Sequence, residues 1–366
     1  MTAASGDDKT QAAICALANG GFVIAWTDSA PTAPYASTIR VRVYDHAAVA
    51  AGADFAAASL DAGQQQAPAL AGLIGGDFVL AWRDLSGYIK AQVFGAAGGA
   101  KGGVIAVDAT APGTQWAPSV AALSGGGFVM AWLEDQDRAN ASQHHIVRGQ
   151  VFTAAGDHSG ADFVIADEIT DMGSIVSLAG LANGNFAAAW DGVGVQAGVF
   201  TATGQAVGSV AVLQTGLAAK PSVAALASGF VVVWNDVPGG IAGDSGYSIV
   251  AQSFTAAGVS AATPFLVNTS TTHLHANPAA ATLANGQVVA TWNDDRNDDA
   301  LTGLLGQVFT AGGQKFATEF AANSSLAGTQ LSPVVAGLTN GSFVVAWNDQ
   351  PEGGRFSVKA RLFLAQ

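Results

Sequence analysis

The chain has 366 residues, half of them hydrophobic and only 11% charged, which supports a large core and excludes a disordered polymer. A formal net charge of -13 repels phosphate backbones and so argues against nucleic-acid binding. No apolar run reaches the roughly 18 residues a membrane-crossing helix needs, so membrane insertion is not expected.

The chain opens on MTAASGDDKTQ, which lacks a basic stretch followed by an apolar one, so no cleavable signal peptide is expected. Next comes AAICAL, an apolar strand-like run holding the single cysteine, Cys15. One cysteine excludes an internal disulfide framework, and its setting predicts a small buried hydrophobe rather than a reactive thiol.

From residue 17 onward one phrase recurs: LANGGFVIAWTD, LIGGDFVLAWRD, LSGGGFVMAWLED, LANGNFAAAWDG, LASGFVVVWND, LANGQVVATWND and LTNGSFVVAWND. The leading leucines are Leu17, Leu73, Leu123, Leu181, Leu226, Leu283 and Leu338, spaced 45 to 58 residues apart. That period, in segments rich in Val, Ile, Phe and Gly without helical periodicity, is the range of β-propeller blades.

Four strands are predicted per period. In the last copy SPVVAGL is a first strand, TNGS a tight turn whose Asn-Gly suits positive φ, and FVVAW a second strand. Third strands end on an aromatic, as in IKAQVF, VRGQVF and LLGQVF, and fourth strands begin near a Phe or Val, as in DFAAASL, DFVIAD and PFLVN. The expectation is one all-β domain over residues 1–366, a seven-bladed propeller of four-stranded antiparallel blades. Its second strands fall at 22–26, 78–82, 128–132, 186–190, 230–234, 288–292 and 343–347. Residues 2 to 5 are expected to complete the last blade as its outer strand, closing the ring and removing an edge.

The repeated side chains have packing roles. Trp26, Trp82, Trp132, Trp190, Trp234, Trp292 and Trp347 are expected to wedge between blades. The acid that follows (Asp28, Asp84, Glu134 or Asp135, Asp191, Asp236, Asp294, Asp349) is expected to cap the amides of the next loop. A ring of carboxylates around one mouth is the alternative.

The phrases QQQAPALAGLIGGDFVLAW, TQWAPSVAALSGGGFVMAW and TQLSPVVAGLTNGSFVVAW, with VRGQVFTAAG and LLGQVFTAGG downstream, resemble a repeat of very large bacterial exported proteins. Such repeats stand beside haemolysin-type calcium-binding repeats and in surface adhesins. The resemblance covers essentially the whole chain and implies the propeller fold and an extracellular or cell-surface location. The Gly-Gly-x-Gly-x-Asp nonapeptides of the calcium-binding partners are absent, so calcium does not carry over.

Function is expected on one face. The turns between strands one and two, and three and four, are short and uniform, whereas the remaining loops are long and irregular. Segments 27–38, 133–145, 235–248 and 293–303, with crossings 108–117 and 268–277, form that variable face. Three clusters stand out on it. Asp294, Asp295, Asn297, Asp298 and Asp299 offer the oxygen ligands Ca²⁺ prefers, though a solvated acidic loop with Arg296 as counter-ion is the favoured reading. His144 and His145, with His273 and His275, suggest metal chelation, or exposed loop histidines. Trp116, outside the repeated phrase, offers a sugar-stacking platform or a plug between blades.

No nucleophile elbow, phosphate loop or metalloprotease motif occurs. The leading expectation is a non-enzymatic binding or structural module presenting variable loops to a glycan, a surface or a protein. Two rivals remain open. One is a carbohydrate-active lyase or hydrolase with a site at the tunnel mouth, using groups such as Asp28, Arg83, Asp135, His144, Asp236, Arg296 and Asp349. The other is a subunit of an extracellular filament or envelope layer.

Overall fold

The computed structural model describes residues 8–29, 37–57, 64–108, 113–135, 145–169, 175–192, 194–215, 219–238, 240, 246–270, 273–295, 303–324 and 327–364. These residues form 27 strands in seven antiparallel sheets, six of four strands and one of three, each sheet running through the chain in sequence order. The protein is a seven-bladed β-propeller with no helix among the described residues. Blades are numbered here from the N-terminus, and strands from the innermost outward. The second strands, from Phe22–Ser29 to Phe343–Gln350, each contain the expected span. The proposed closing strand at residues 2 to 5 lies outside the described residues.

Each blade presents a hydrophobic second strand on both faces, so it packs against both neighbours. The tryptophans show how. Trp82 shares a core cluster with Ile39 and Val41 of blade 1, and Trp132 with Ile89 and Ala91 of blade 2. The same relation continues around the ring to Trp26, which rests on Val358 and Ala360 of blade 7. Each tryptophan is therefore a wedge on the third strand of the preceding blade, at 5% exposure or less. Cys15 sits in one of these clusters, and burial pushes its thiol up to about 12 against a smaller opposing hydrogen bond at Val23.

The hairpin turns refine the Asn-Gly expectation. In blade 7 the amide of Gly341 donates to Leu338 O and that of Leu338 to Ser342 O, with only the glycine at positive φ. The asparagine contributes its side chain, since Asn340 Oδ1 accepts the Ser342 amide at 3.0 Å. Asn19 and Asn285 repeat the bond. The turn is thus a type I turn with a glycine bulge.

A second irregularity lies in the inner strands. Gln11, Ala67, Ala117, Lys220, Asn277 and Ser332 all have φ between 49° and 57°, one in each inner strand except that of blade 4. The register shifts beside each of them, which identifies a β-bulge. Left-handed backbone costs about 1–2 kcal/mol for a residue with a Cβ. Hydrogen bonds from the preceding blade offset this at several bulges: the Ala67 amide donates to Gln11 Oε1, Lys220 to Asp191 Oδ2 and Ser332 to Asn293 Oδ1.

Glutamines strap the blades together. Gln65 Oε1 accepts the Ile39 amide of blade 1, and Gln115 Oε1 the Ile89 amide of blade 2. In blades 5 and 6 an asparagine of the outgoing crossing takes over, with Asn268 Oδ1 on Ile249 N and Asn323 Oδ1 on Leu304 N. The seam between blades 7 and 1 obeys the same rule, because Lys9 N donates to Phe356 O as Gln65 N does to Ser37 O.

Candidate functional site

In blade 4 Asp191 follows Trp190 directly; in the other six blades the acid near the end of the second strand, where the variable loops leave, lies two residues past the tryptophan. Alternation along a strand puts that residue on the same side as the indole, between blades, so its carboxylate is shielded from water. Glu134, Asp236, Asp294 and Asp349 are all 2% exposed or less.

A buried carboxylate requires partners, and the blades supply different ones. Asp84 accepts the Tyr88 amide at 3.0 Å and the Ser86 hydroxyl at 2.7 Å, and Asp236 accepts the Val237 amide at 3.0 Å. These are the loop caps expected from the sequence. Asp191 likewise accepts the Ile175 and Lys220 amides, and in the remaining blades the partner is a positive or imidazole group. Lys9 Nζ lies 3.6 Å from Asp28, Arg148 Nε 2.8 Å from Glu134, and Lys359 Nζ 2.6 Å from Asp349. Arg148 and Lys359 face the tryptophan across the strand pair, one diagonal step from the acid, a proximity that chain spacing conceals. Arg148 bonds Asp162 as well. Burial works against the Arg148 charge, but the bonds and charges of Glu134 and Asp162 outweigh it and hold the guanidinium above its usual range.

Blade 6 solves the problem with His275. Its strand begins where other blades place the strapping glutamine, and the imidazole is fully buried. Nε2 lies 2.8 Å from the Ser270 carbonyl oxygen, an acceptor, so Nε2 carries the proton. Nδ1 lies 3.0 Å from Asp294 Oδ1, off the ideal hydrogen-bond line. The ring edge meets Trp292 at a centroid distance of 6.2 Å. With both nitrogens turned to oxygen atoms inside the protein, His275 works as a pin rather than a chelator. Asp294 is likewise turned inward, while Asp295 holds the Leu274 carbonyl through its amide. His273 lies half-buried in the crossing before the strand. Arg296, Asn297, Asp298, Asp299 and His144 lie outside the described residues. Among the described residues no group of three His, Cys, Asp or Glu side chains is placed to hold a metal ion.

The structure joins two candidates that the sequence kept apart. Trp116, half-buried at the start of the inner strand of blade 3, meets His145 edge-on at 5.2 Å between centroids. His145 is 1% exposed. Trp116 packs on the cluster shared by blades 3 and 4, beside Leu133, Val147, Val176 and Trp190, which is the plug position. Among the described residues, the buried ring nitrogens of His145 and the indole nitrogen of Trp116 have no hydrogen-bond partner.

No protein-family model and no curated protein matches the chain. Solved structures do. A protein of unknown function from Dyadobacter fermentans aligns over 100% of this chain and 97% of its own, with a TM-score of 0.60 at 11% identity. The β-propeller domain of Cps50 (Swd1) from Myceliophteria thermophila aligns over 98% of both chains, with a TM-score of 0.55 at 10% identity. A puromycin hydrolase gives a TM-score of 0.61 at 13% identity, and the match spans 54% of that longer chain. What is shared is the fold. At such identities a common propeller says nothing about a common ligand.

Proposed function

We propose that this chain is a non-enzymatic binding module of an exported or cell-surface bacterial protein, holding its variable loops out to a glycan or protein partner. One observation carries the reading. The polar groups at the loop roots serve the scaffold: the described carboxylates lie against cations, amides or an imidazole, and His275 is bonded through Nε2 to Ser270 O with Nδ1 packed against Asp294. The rim is therefore a rigid base from which irregular segments leave, the arrangement that suits recognition by loops on a constant scaffold. The resemblance of the repeats to those of exported adhesin-like proteins supports the location. Calcium enters this reading only through the loop after Asp294.

A glycan-array screen of the purified chain, with and without EDTA, tests it. Saturable binding that is lost on shortening the loops at 133–145 or 293–303 is the expected result. Turnover of a bound polysaccharide would replace the module with an enzyme. Absence of binding to glycans and to bacterial or host surface extracts would point to an envelope or filament subunit.

A further inference from the structure

Among the described residues, every lysine and arginine but one lies against an oxygen atom of the protein, whether of a carboxylate, a carbonyl or a side-chain amide. The exception is Arg83. It is half-buried directly after Trp82, and its Nε is enclosed without a hydrogen-bond partner. With 27 acids against 14 lysines and arginines, the chain has no shortage of partners to place there. A cation held partly out of water with a stranded N–H is costly unless something supplies an acceptor.

Arg83 also occupies a position that accepts at other seams. The residue after the tryptophan faces the next blade, where the bulge of the inner strand presents an amide. Asp191 Oδ2 accepts that amide from Lys220 at 3.3 Å, and Asn293 Oδ1 accepts it from Ser332 at 3.1 Å. In blade 1 the Thr27 hydroxyl donates to Gln11 Oε1, which takes the Ala67 amide at 2.9 Å. Between blades 2 and 3 the bulge amide belongs to Ala117, and Arg83, in the accepting position, has only donors. This seam thus gathers guanidinium and amide donors where the others match a donor with an acceptor.

Arg83 keeps contact with solvent at the variable face. The second and third strands of blade 2 are joined by five residues, 84–88, against seven in blade 1 (30–36) and nine in blade 3 (136–144). A Cβ on Gly87 of that turn would lie 3.5 Å from Arg83 Nη2 and 3.1 Å from Thr114 Cγ2. The guanidinium tip therefore sits in the step between the turn and the entry of blade 3, a step fixed by Gln115 N donating to Gly87 O at 2.7 Å. Gln66 stands across the strand pair from Arg83, and the neighbouring Leu85 is 61% exposed. The adjacent carboxylate, Asp84, is engaged by Lys90, Ser86 and Tyr88 instead.

We infer that Arg83 and the seam around it form a binding site for a single sugar carboxylate, such as that of a uronic acid unit. The inference rests on the glycan-binding reading and names the class of glycan. The planar fork of a guanidinium matches a carboxylate, Gln66 and Thr114 offer partners for sugar hydroxyls, and Leu85 offers an apolar contact for the ring. One uncommitted cation in a chain of net charge -13 suits one acidic unit and opposes a polyanion.

NMR titration of the full chain with sodium glucuronate, followed at the Arg83 Nε–Hε resonance, tests the site. A saturable shift is expected, absent with glucose and with the methyl ester of glucuronate, and binding should weaken at least tenfold in Arg83→Gln. In carboxylate-free buffer the Tm of Arg83→Gln should equal or exceed that of the parent, because glutamine restores an acceptor beside the Ala117 amide. A Tm lowered by several degrees would show that the chain already pairs Arg83 with a carboxylate of its own and would overturn the inference, as would a resonance indifferent to glucuronate. Tighter binding of N-acetylaspartate amide would assign the site to acidic peptides and overturn it as well. On a glycan array, equal binding by the parent and Arg83→Gln overturns this inference alone and leaves the binding module standing. Binding of no glycan, together with an unresponsive Arg83, overturns both.

Discussion

Blades 1, 2, 3 and 7 differ from blades 4, 5 and 6 at one position, the third-strand residue opposite the repeated tryptophan. The first group places Arg40, Lys90, Arg148 and Lys359 there, and the second Gln196, Val250 and Leu305. In blades 2, 3 and 7 the cation reaches the strand-exit acid of its own blade. Without a cation, the carboxylate turns to backbone amides in blades 4 and 5, or to His275 in blade 6. A single packing solution thus tolerates several electrostatic ones, provided that no buried charge is stranded.

Three substitutions are chosen to break or sharpen this contrast. The largest effect is expected from Arg148→Met, which leaves the fully buried Glu134 carboxylate without its guanidinium. Removing one partner of a buried pair costs about 3 kcal/mol or more, discounted to about 2–3 because Arg148 is itself 19% exposed. Adding Glu134→Gln should restore much of the loss in urea denaturation. A single substitution costing nothing would show that water reaches this carboxylate.

A smaller difference separates the tryptophans. Trp234 donates its indole N–H to Gln214 Oε1 at 2.7 Å, whereas the indole nitrogen of Trp82 is buried without a partner. Trp234→Phe strands a buried amide and should cost about 1 kcal/mol more than Trp82→Phe, measured as the difference in unfolding free energy. Equal costs would mean that ring volume alone sets the wedge.

The smallest effect concerns acid. Burial raises the Asp54 pKa, but the bond and charge of Arg40, together with Arg42, outweigh it and hold the carboxyl below its usual value. A depressed folded-state pKa contributes stability that is complete above the unfolded value, about 3.9, and is lost as pH falls below it. The Tm of Asp54→Asn should therefore lie below that of the parent near pH 6 and converge with it toward pH 2. A constant offset across that range would remove the Arg40 pair from the account of acid stability.

Much of the scaffold is legible in the sequence. The seven phrases, the hairpin turns and the spacing of the tryptophans specify blades, because alternation and turn chemistry are local properties. The candidate site was legible only as a face. Trp116 and His145 are 29 residues apart and meet through strand pairing, and His275 reads as a loop ligand until its position is recognised as that of a strapping glutamine. The bulge before the proline had a signal in the repeated Pro68, Pro118, Pro221, Pro278 and Pro333, but proline alone does not announce left-handed backbone one residue earlier.

Repetition in the chain thus determined the number of blades, their strands and the wedge between them, since each depends on neighbours along the sequence. Partnership of buried charges was settled in three dimensions, because a carboxylate selects whichever donor the adjoining strand or blade brings within about 3 Å. The same distinction governs blade 7. Its third strand is readable from SVKARLF, while the cavity between blades 6 and 7 emerges only when the blades stand in a ring.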